Sequence, residues 1–328
     1  MSRKLLTLSL TATLMGGTAH ADTLQVAVDI APVHSLVARV MDGVGMPDLI
    51  IQPGASPHEY SLRPSEAAAL QNSDLVFWIG PGLTPWLTDT IETLAKDASV
   101  TSLLDLDGTV QLDFREGALF EVHDHDDHDD HDDHDDHDDH DDHDDHDDHD
   151  DHDDHDDHDD HDPHAWLSPK NAITWLNVIA GQLSAADPDN AGTYFANAAA
   201  GRTEIELLIS EVTATLDRVR GGRFIVFHDA YQYFEMDFNF PASGAISVSD
   251  ASDPGPARIT EIRDRISQQG IDCVLAEPQF NPDLIATILD GTDSRTGIID
   301  PLGSDLEPGA SLYRELIRNL STALASCM

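Results

Sequence analysis

Phe224-Ile225-Val226-Phe227-His228-Asp229 begins as an apolar run and ends on an imidazole and a carboxylate. Arg223 to Phe227 reads as a strand, and a helix begins over Ala230 to Phe234. The next apolar run, Ile271 to Ala276, reads as a second strand, with the rigid turn segment Ser252-Asp253-Pro254-Gly255-Pro256 between them. The first half of the chain alternates in the same way. Leu24 to Val28, Leu49 to Ile51 and Leu75-Val76-Phe77-Trp78-Ile79 read as strands, Val33 to Met41 and Pro64 to Gln71 as helices. Strands alternating with helices predict parallel α/β sheets, here in two α/β lobes with a cleft between them.

A long helical pattern separates the lobes. Asp187-Pro188 is a helix start with proline at the first helical position. Ile205, Leu208, Ile209, Val212, Leu216 and Val219 then recur at helical spacing, and Gly221-Gly222 ends the run. One helix over residues 188–219 would be about 48 Å long at 1.5 Å per residue, a rigid strut. Two shorter helices broken near Gly201 are the competing arrangement. The expected organisation is a first lobe over 22–186, a linking helix over 187–220 and a second lobe over 221–328.

Residues 123–162 interrupt the first lobe with HDH followed by uninterrupted DDH. This tract holds 14 of the 19 histidines, 26 aspartates and no apolar residue. It cannot bury a core and its charges repel, which predicts a solvated, disordered surface loop over 121–162. A merely solubilising insert has no reason to supply imidazole at every third position. Imidazole and carboxylate are ligand types of zinc and its transition-metal neighbours, so the tract reads as an array of weak, exchangeable metal sites. It carries −26 of the formal charge of −46, and the remainder is still acidic. That balance argues against nucleic acid as a partner and favours cations.

Arg3 and Lys4, the apolar stretch Leu5 to Met15 and Ala19-His20-Ala21 form a secretory signal peptide over residues 1–21. The stretch is too short to span a bilayer, although an uncleaved anchor is the alternative. The mature chain, from near Asp22, is expected to be exported. Cys273 and Cys327 are the only cysteines. In an oxidising compartment they suggest one disulfide pinning the terminal helix to a strand, and two unpaired buried thiols remain the other possibility. Without leader and repeat, roughly 265 residues are left, enough for two cores.

Five histidines lie outside the repeat: His20, His34, His58, His164 and His228. His20 leaves with the leader, and His34, near a helix start, reads as a packing or capping residue. The other three each follow a short apolar or extended segment where a loop leads to a helix. Ligands in α/β folds gather at the carboxyl ends of parallel strands, and three imidazoles there suit a borderline-soft divalent cation, zinc first.

Pro53-Gly54-Ala55-Ser56-Pro57-His58-Glu59-Tyr60-Ser61-Leu62-Arg63-Pro64, Asp162-Pro163-His164-Ala165-Trp166-Leu167-Ser168-Pro169 and Phe227-His228-Asp229-Ala230-Tyr231 resemble the signature segments of the metal-binding receptors of ABC importers, cluster A-I. The acidic, histidine-rich insertion, the tail Asp300-Pro301-Leu302-Gly303 and the paired cysteines resemble the zinc-uptake branch. The resemblance covers residues 22–328. It implies two (β/α)4 lobes joined by a long rigid helix, with the metal in the interlobe cleft. Its metal ligands fall on His58, His164 and His228, with a carboxylate on Asp300. Asp305 is a neighbouring alternative, and water can replace the carboxylate. Pro57 stands where some zinc members carry a substitute glutamate, and Glu59 is expected to point away. His228 occupies a position that is glutamate in the manganese and iron branch.

The resulting expectation is a periplasmic protein that captures Zn2+ and delivers it to an inner-membrane ABC permease with a cytoplasmic ATPase. It is expected to be monomeric, to bind zinc as cargo and not to be an enzyme. Asp162 and Asp229, neighbours of two ligands, are candidates to orient their rings. The competing readings are a periplasmic zinc buffer or metallochaperone, a manganese-type receptor and, with no HExxH or nucleophile motif to support it, a zinc hydrolase.

Overall fold

The computed structural model describes residues 24–115, 120, 161–247, 255–278 and 282–328. The expected signal peptide and residues 121–160 of the repeat lie outside the described residues. Two sheets of four parallel strands organise the chain. The first contains β1 (Val26–Val28), β2 (Asp48–Leu49), β3 (Leu75–Trp78) and β4 (Ser99–Ser102) in the order β2-β1-β3-β4. The second contains β5 (Phe224–His228), β6 (Ala245–Ser247), β7 (Cys273–Ala276) and β8 (Arg295–Ile298) in the order β6-β5-β7-β8. The same order in both sheets makes the lobes topological equivalents. The central strands β1, β3 and β5 are buried along their whole length, because helices cover both faces of each sheet.

In the first lobe, α1 (Ala31–Val40), α2 (Pro64–Asn72) and α3 (Pro85–Leu94) alternate with strands, and α4 (Pro169–Ala186) follows the insertion. The second lobe has α6 (Gln232–Phe238), α7 (Pro256–Gln269), α8 (Pro282–Leu289) and α9 (Leu312–Cys327). Between the lobes lies α5 (Ala191–Leu216), one helix of 26 residues and about 39 Å. It is shorter than the expected 187–220 because single 3-10 turns, Pro188–Asn190 and Asp217–Val219, take up both ends. The chain does not break at Gly201. A Cβ there would stand 3.2 Å from Leu176 Cδ1 and 3.3 Å from Arg39 Cγ, so this glycine permits close packing of α5 on its neighbours. No described helix is long and apolar enough to cross a membrane.

Direct bonds join the lobes as well. Trp166 Nε1 donates to the Pro301 carbonyl at 2.7 Å, and the Tyr313 hydroxyl donates to the Trp166 carbonyl at 2.9 Å. Glu204 on α5 bonds Arg39 of α1 and stands 3.4 Å from Arg314 of α9. His34 is buried in packing, its Nε2 at 3.0 Å from the Pro47 carbonyl.

Cys273 and Cys327 form a disulfide with a Cα separation of 5.6 Å, fixing the last residue of α9 to the start of β7. Gly297 on β8 leaves the room, since a Cβ there would meet Cys327 Sγ at 3.1 Å. Reducing this bridge should lower stability by about 2–4 kcal/mol. Urea unfolding with and without reductant measures the change, and equal midpoints would deny the bridge a stabilising role.

Candidate metal centre

His58, His164, His228 and Asp300 all line one cavity of about 160 Å³, together with Trp166, Pro278 and Ser304. His58, His228 and Asp300 come from the carboxyl ends of β2, β5 and β8, where α/β folds gather ligands, and His164 comes from the end of the insertion. His58 lies in the loop between β2 and α2, which is braced where Trp86 Nε1 donates to the Pro57 carbonyl at 2.8 Å. His164 caps the 3-10 turn Ala165–Leu167 and is followed by Ser168, whose hydroxyl accepts Asn171 N–H at the start of α4. His228 is the last residue of β5, and Asp300 follows β8. Asp305 is exposed and does not line the cavity, and Glu59 is exposed as expected.

Two of the three ring separations lie close to that of a tetrahedral zinc site. A zinc ion held at a Zn–N distance of roughly 2.0–2.1 Å sits about 3.2 Å from an imidazole centre, so two tetrahedral ligands lie about 5.2 Å apart between centres. The His58 and His164 centroids are 5.6 Å apart, and those of His164 and His228 are 5.3 Å apart. Among the described residues no three His, Cys, Asp or Glu side chains close into an ion-holding group. The two pairs share His164, and the three side chains do not surround one point.

Two of these imidazoles are backed by buried carboxylates. His164 Nδ1 is 2.7 Å from Asp162 Oδ1, which also accepts the His164 backbone N–H at 2.9 Å. His228 Nδ1 is 2.6 Å from Glu277 Oε1. A carboxylate at Nδ1 holds the proton there and leaves Nε2 as the coordinating nitrogen. Burial pushes the Asp162 carboxyl up to about 7, against the lowering effects of the His164 N–H and the nearby Arg115 charge. Behind His228, burial foremost, and then the charges of Glu277 and Asp300, push the Tyr231 phenol well above its ordinary range.

Asp162 therefore orients a ring as expected, and with His161 it belongs to the packed fold. The predicted disordered loop thus extended too far at its end. Asp162 is 1 % exposed because its backbone and carboxylate are both engaged by neighbours. Asp229 has a different role from the one expected. Its carboxylate pairs with Arg115, which also bonds Glu235 at 2.8 Å. Glu277 was missed, and its signal was its place directly after the apolar run Cys273 to Ala276. Asp300 accepts from Leu302 N–H and Gly303 N–H on one oxygen and from Ser304 N–H and hydroxyl on the other, at 2.6–3.0 Å. Those donors occupy about four lone-pair sites, the full capacity of a carboxylate. Gly303 makes the turn possible, with φ of 69°.

The family model for ZnuA, the periplasmic component A of a zinc-uptake complex, matches residues 26–327. The chain belongs to the ZnuA family. The high-affinity zinc uptake system protein ZnuA of Brucella abortus (strain 2308) is 50% identical over 304 residues, covering 92% of this chain and 91% of that protein. A crystal structure of ZnuA superposes with a TM-score of 0.71 at 20% identity, covering 93% of this chain and 99% of that one. A manganese-bound structure of the protein FpvC from Pseudomonas aeruginosa superposes almost equally well, with a TM-score of 0.70 at 19% identity over 93% of this chain and 98% of that one. The shared fold therefore does not choose the cation.

Glu277→Ala should weaken tight zinc binding about 10- to 100-fold by freeing the His228 ring and its tautomer. Chelator competition reads this directly. Wild-type affinity in that variant would remove Glu277 from the site.

Proposed function

We propose that this protein captures Zn2+ in the periplasm through His58, His164 and His228 and hands it to an ABC importer. The observation that carries this reading is the convergence of three imidazoles, two of them backed by buried carboxylates, on one cavity. Capture draws the rings inward around the ion, and the two separations that involve His164 are already close to those of a tetrahedral site. The family relationship supports zinc as the cargo and an ABC transporter as the destination. The finer reading is a monomer docking on an inner-membrane permease that is driven by a cytoplasmic ATPase.

Asp300 is the protein candidate for the fourth position. To bind the ion it must release one of its present donors, so its contribution is smaller than that of an imidazole and water competes for the place. Because ligands come from both lobes, the ion favours one relative position of the lobes by the difference of its affinities for the alternatives. The His/Asp repeat acts as a linked array of weak ligands that rebinds zinc near the cleft.

His58→Ala, His164→Ala and His228→Ala should each abolish the tight site in a chelator titration, while Asp300→Ala should have a lesser effect. A single histidine variant that keeps wild-type affinity would strike that residue from the ligand set. Asp305→Ala proving more damaging than Asp300→Ala would move the carboxylate assignment.

Replacing residues 123–160 by a short Gly-Ser linker, with His161 and Asp162 kept, should leave one tight zinc. Calorimetry should lose only the weaker, multiple-ion phase. Loss of the tight phase would make the repeat part of the primary site.

A further inference from the structure

Both ends of the insertion are fastened to each other and to the second lobe. Asp162 N–H donates to the Leu112 carbonyl at 2.7 Å, and Asp113 and His161 form an antiparallel bridge. Tyr233, on α6 and 0% exposed, closes the fastening from the other lobe. Its hydroxyl accepts Leu112 N–H at 3.0 Å and donates to the Asp162 carbonyl at 2.7 Å. Next to it, Gln232 Nε2 donates to the Asp113 carbonyl at 3.2 Å. Arg115 adds the ion pairs to Asp229 and Glu235, and its guanidinium stacks 3.6 Å from the Phe120 ring centre.

We propose that Tyr233 is a positioning residue for zinc capture: acting across the lobe boundary, it fixes Asp162 and thereby the His164 imidazole. This inference rests on the reading of His164 as a ligand. The chain of contacts is short and directional. The phenol holds the Asp162 backbone, Asp162 Oδ1 holds both the Nδ1 and the backbone N–H of His164, and the ring faces the cavity. Asp162 is the last residue of the charged repeat, and it carries the carboxylate behind the ligand. Phenylalanine fills the same space but would leave the Leu112 N–H and the buried Asp162 carbonyl without this partner. Arg115 is the second fastening of the same strap.

The test uses the full chain and zinc with a competing chelator. Tyr233→Phe should weaken the tight site about tenfold, the lower range for losing support behind a metal-binding histidine. The melting temperature of the metal-free protein should fall by a few degrees, because the Leu112 N–H and the Asp162 carbonyl lose a buried partner. Asp162→Asn should weaken zinc binding at least as much, and the double variant should be no weaker than Asp162→Asn alone, because both act through one carboxylate. The d–d spectrum of the cobalt-loaded protein should shift in Tyr233→Phe, reporting altered ligand geometry. Unchanged affinity in Tyr233→Phe, or losses that multiply in the double variant, would overturn the proposal. If Tyr233→Phe does not fold, Arg115→Lys, which keeps the charge but loses the fork, should give a weaker form of the same effect, and wild-type zinc affinity there would overturn it. His164→Ala separates the two readings. Tight binding retained in that variant refutes the ligand assignment, whereas loss there with an unaffected Tyr233→Phe refutes only the coupling.

Discussion

Trp166 bonds the two halves of the cavity to one another. It is 1% exposed, sits two residues after His164 and donates its indole N–H to the carbonyl of Pro301, the residue after Asp300. Its own carbonyl accepts the Tyr313 hydroxyl from α9, and its ring centre lies 5.3 Å from that of His164. One side chain of the first lobe thus ties the turn bearing His164 to the turn bearing Asp300. A site assembled from two sheets depends on such a tie, because moving a ligand by even an ångström changes the coordination distances that define a zinc site. The packing of α5, α1 and α9 supplies the stiffness behind it, with Gly201 allowing the helices to approach closely.

The electrostatics follow from that packing. Asp162, Asp229, Glu235 and Glu277 are all buried near the cavity, where isolated carboxylates would be costly. Each is compensated differently. Glu277 and Asp162 face imidazoles, whereas Asp229 and Glu235 share the Arg115 guanidinium. A carboxylate therefore sits behind two of the three rings, where it fixes their tautomers. Arg115 comes from the root of the insertion, so completing this charge balance also anchors the strap.

The strand ends and their histidines were legible because their signals are local. An apolar run followed by histidine marks His228, and proline-rich loops before helices mark His58 and His164. Asp229 was assigned to the wrong partner by adjacency alone. Asp229 lies just past the end of β5, where its carboxylate meets Arg115, and the His228 ring is taken by Glu277. Glu277, Arg115 and Tyr233 were hidden for another reason. Their partners lie 49, 114 and 71 residues away in Glu277–His228, Arg115–Asp229 and Tyr233–Asp162, and no periodicity encodes such pairings. The long helix was legible as an element, but its ends were not, because terminal 3-10 turns depend on local hydrogen bonding as well as on apolar spacing.

On the ligand set proposed above, selectivity would follow from how Asp300 is used. The resemblance placed a carboxylate opposite three imidazoles, an arrangement that alone would suit harder cations more than a nitrogen-only set does. Here the Asp300 oxygens already accept from two turn N–H groups, the Ser304 N–H and the Ser304 hydroxyl. An ion entering the cavity gains full carboxylate coordination only by breaking part of that turn, whereas imidazole coordination requires no such sacrifice of the Asp300 bonds. With that ligand set the cost would fall most heavily on cations that depend on oxygen ligands and least on zinc, which binds imidazole well and accepts water in a fourth position. A carboxylate held in its own turn would then leave nitrogen as the dominant donor of the proposed site.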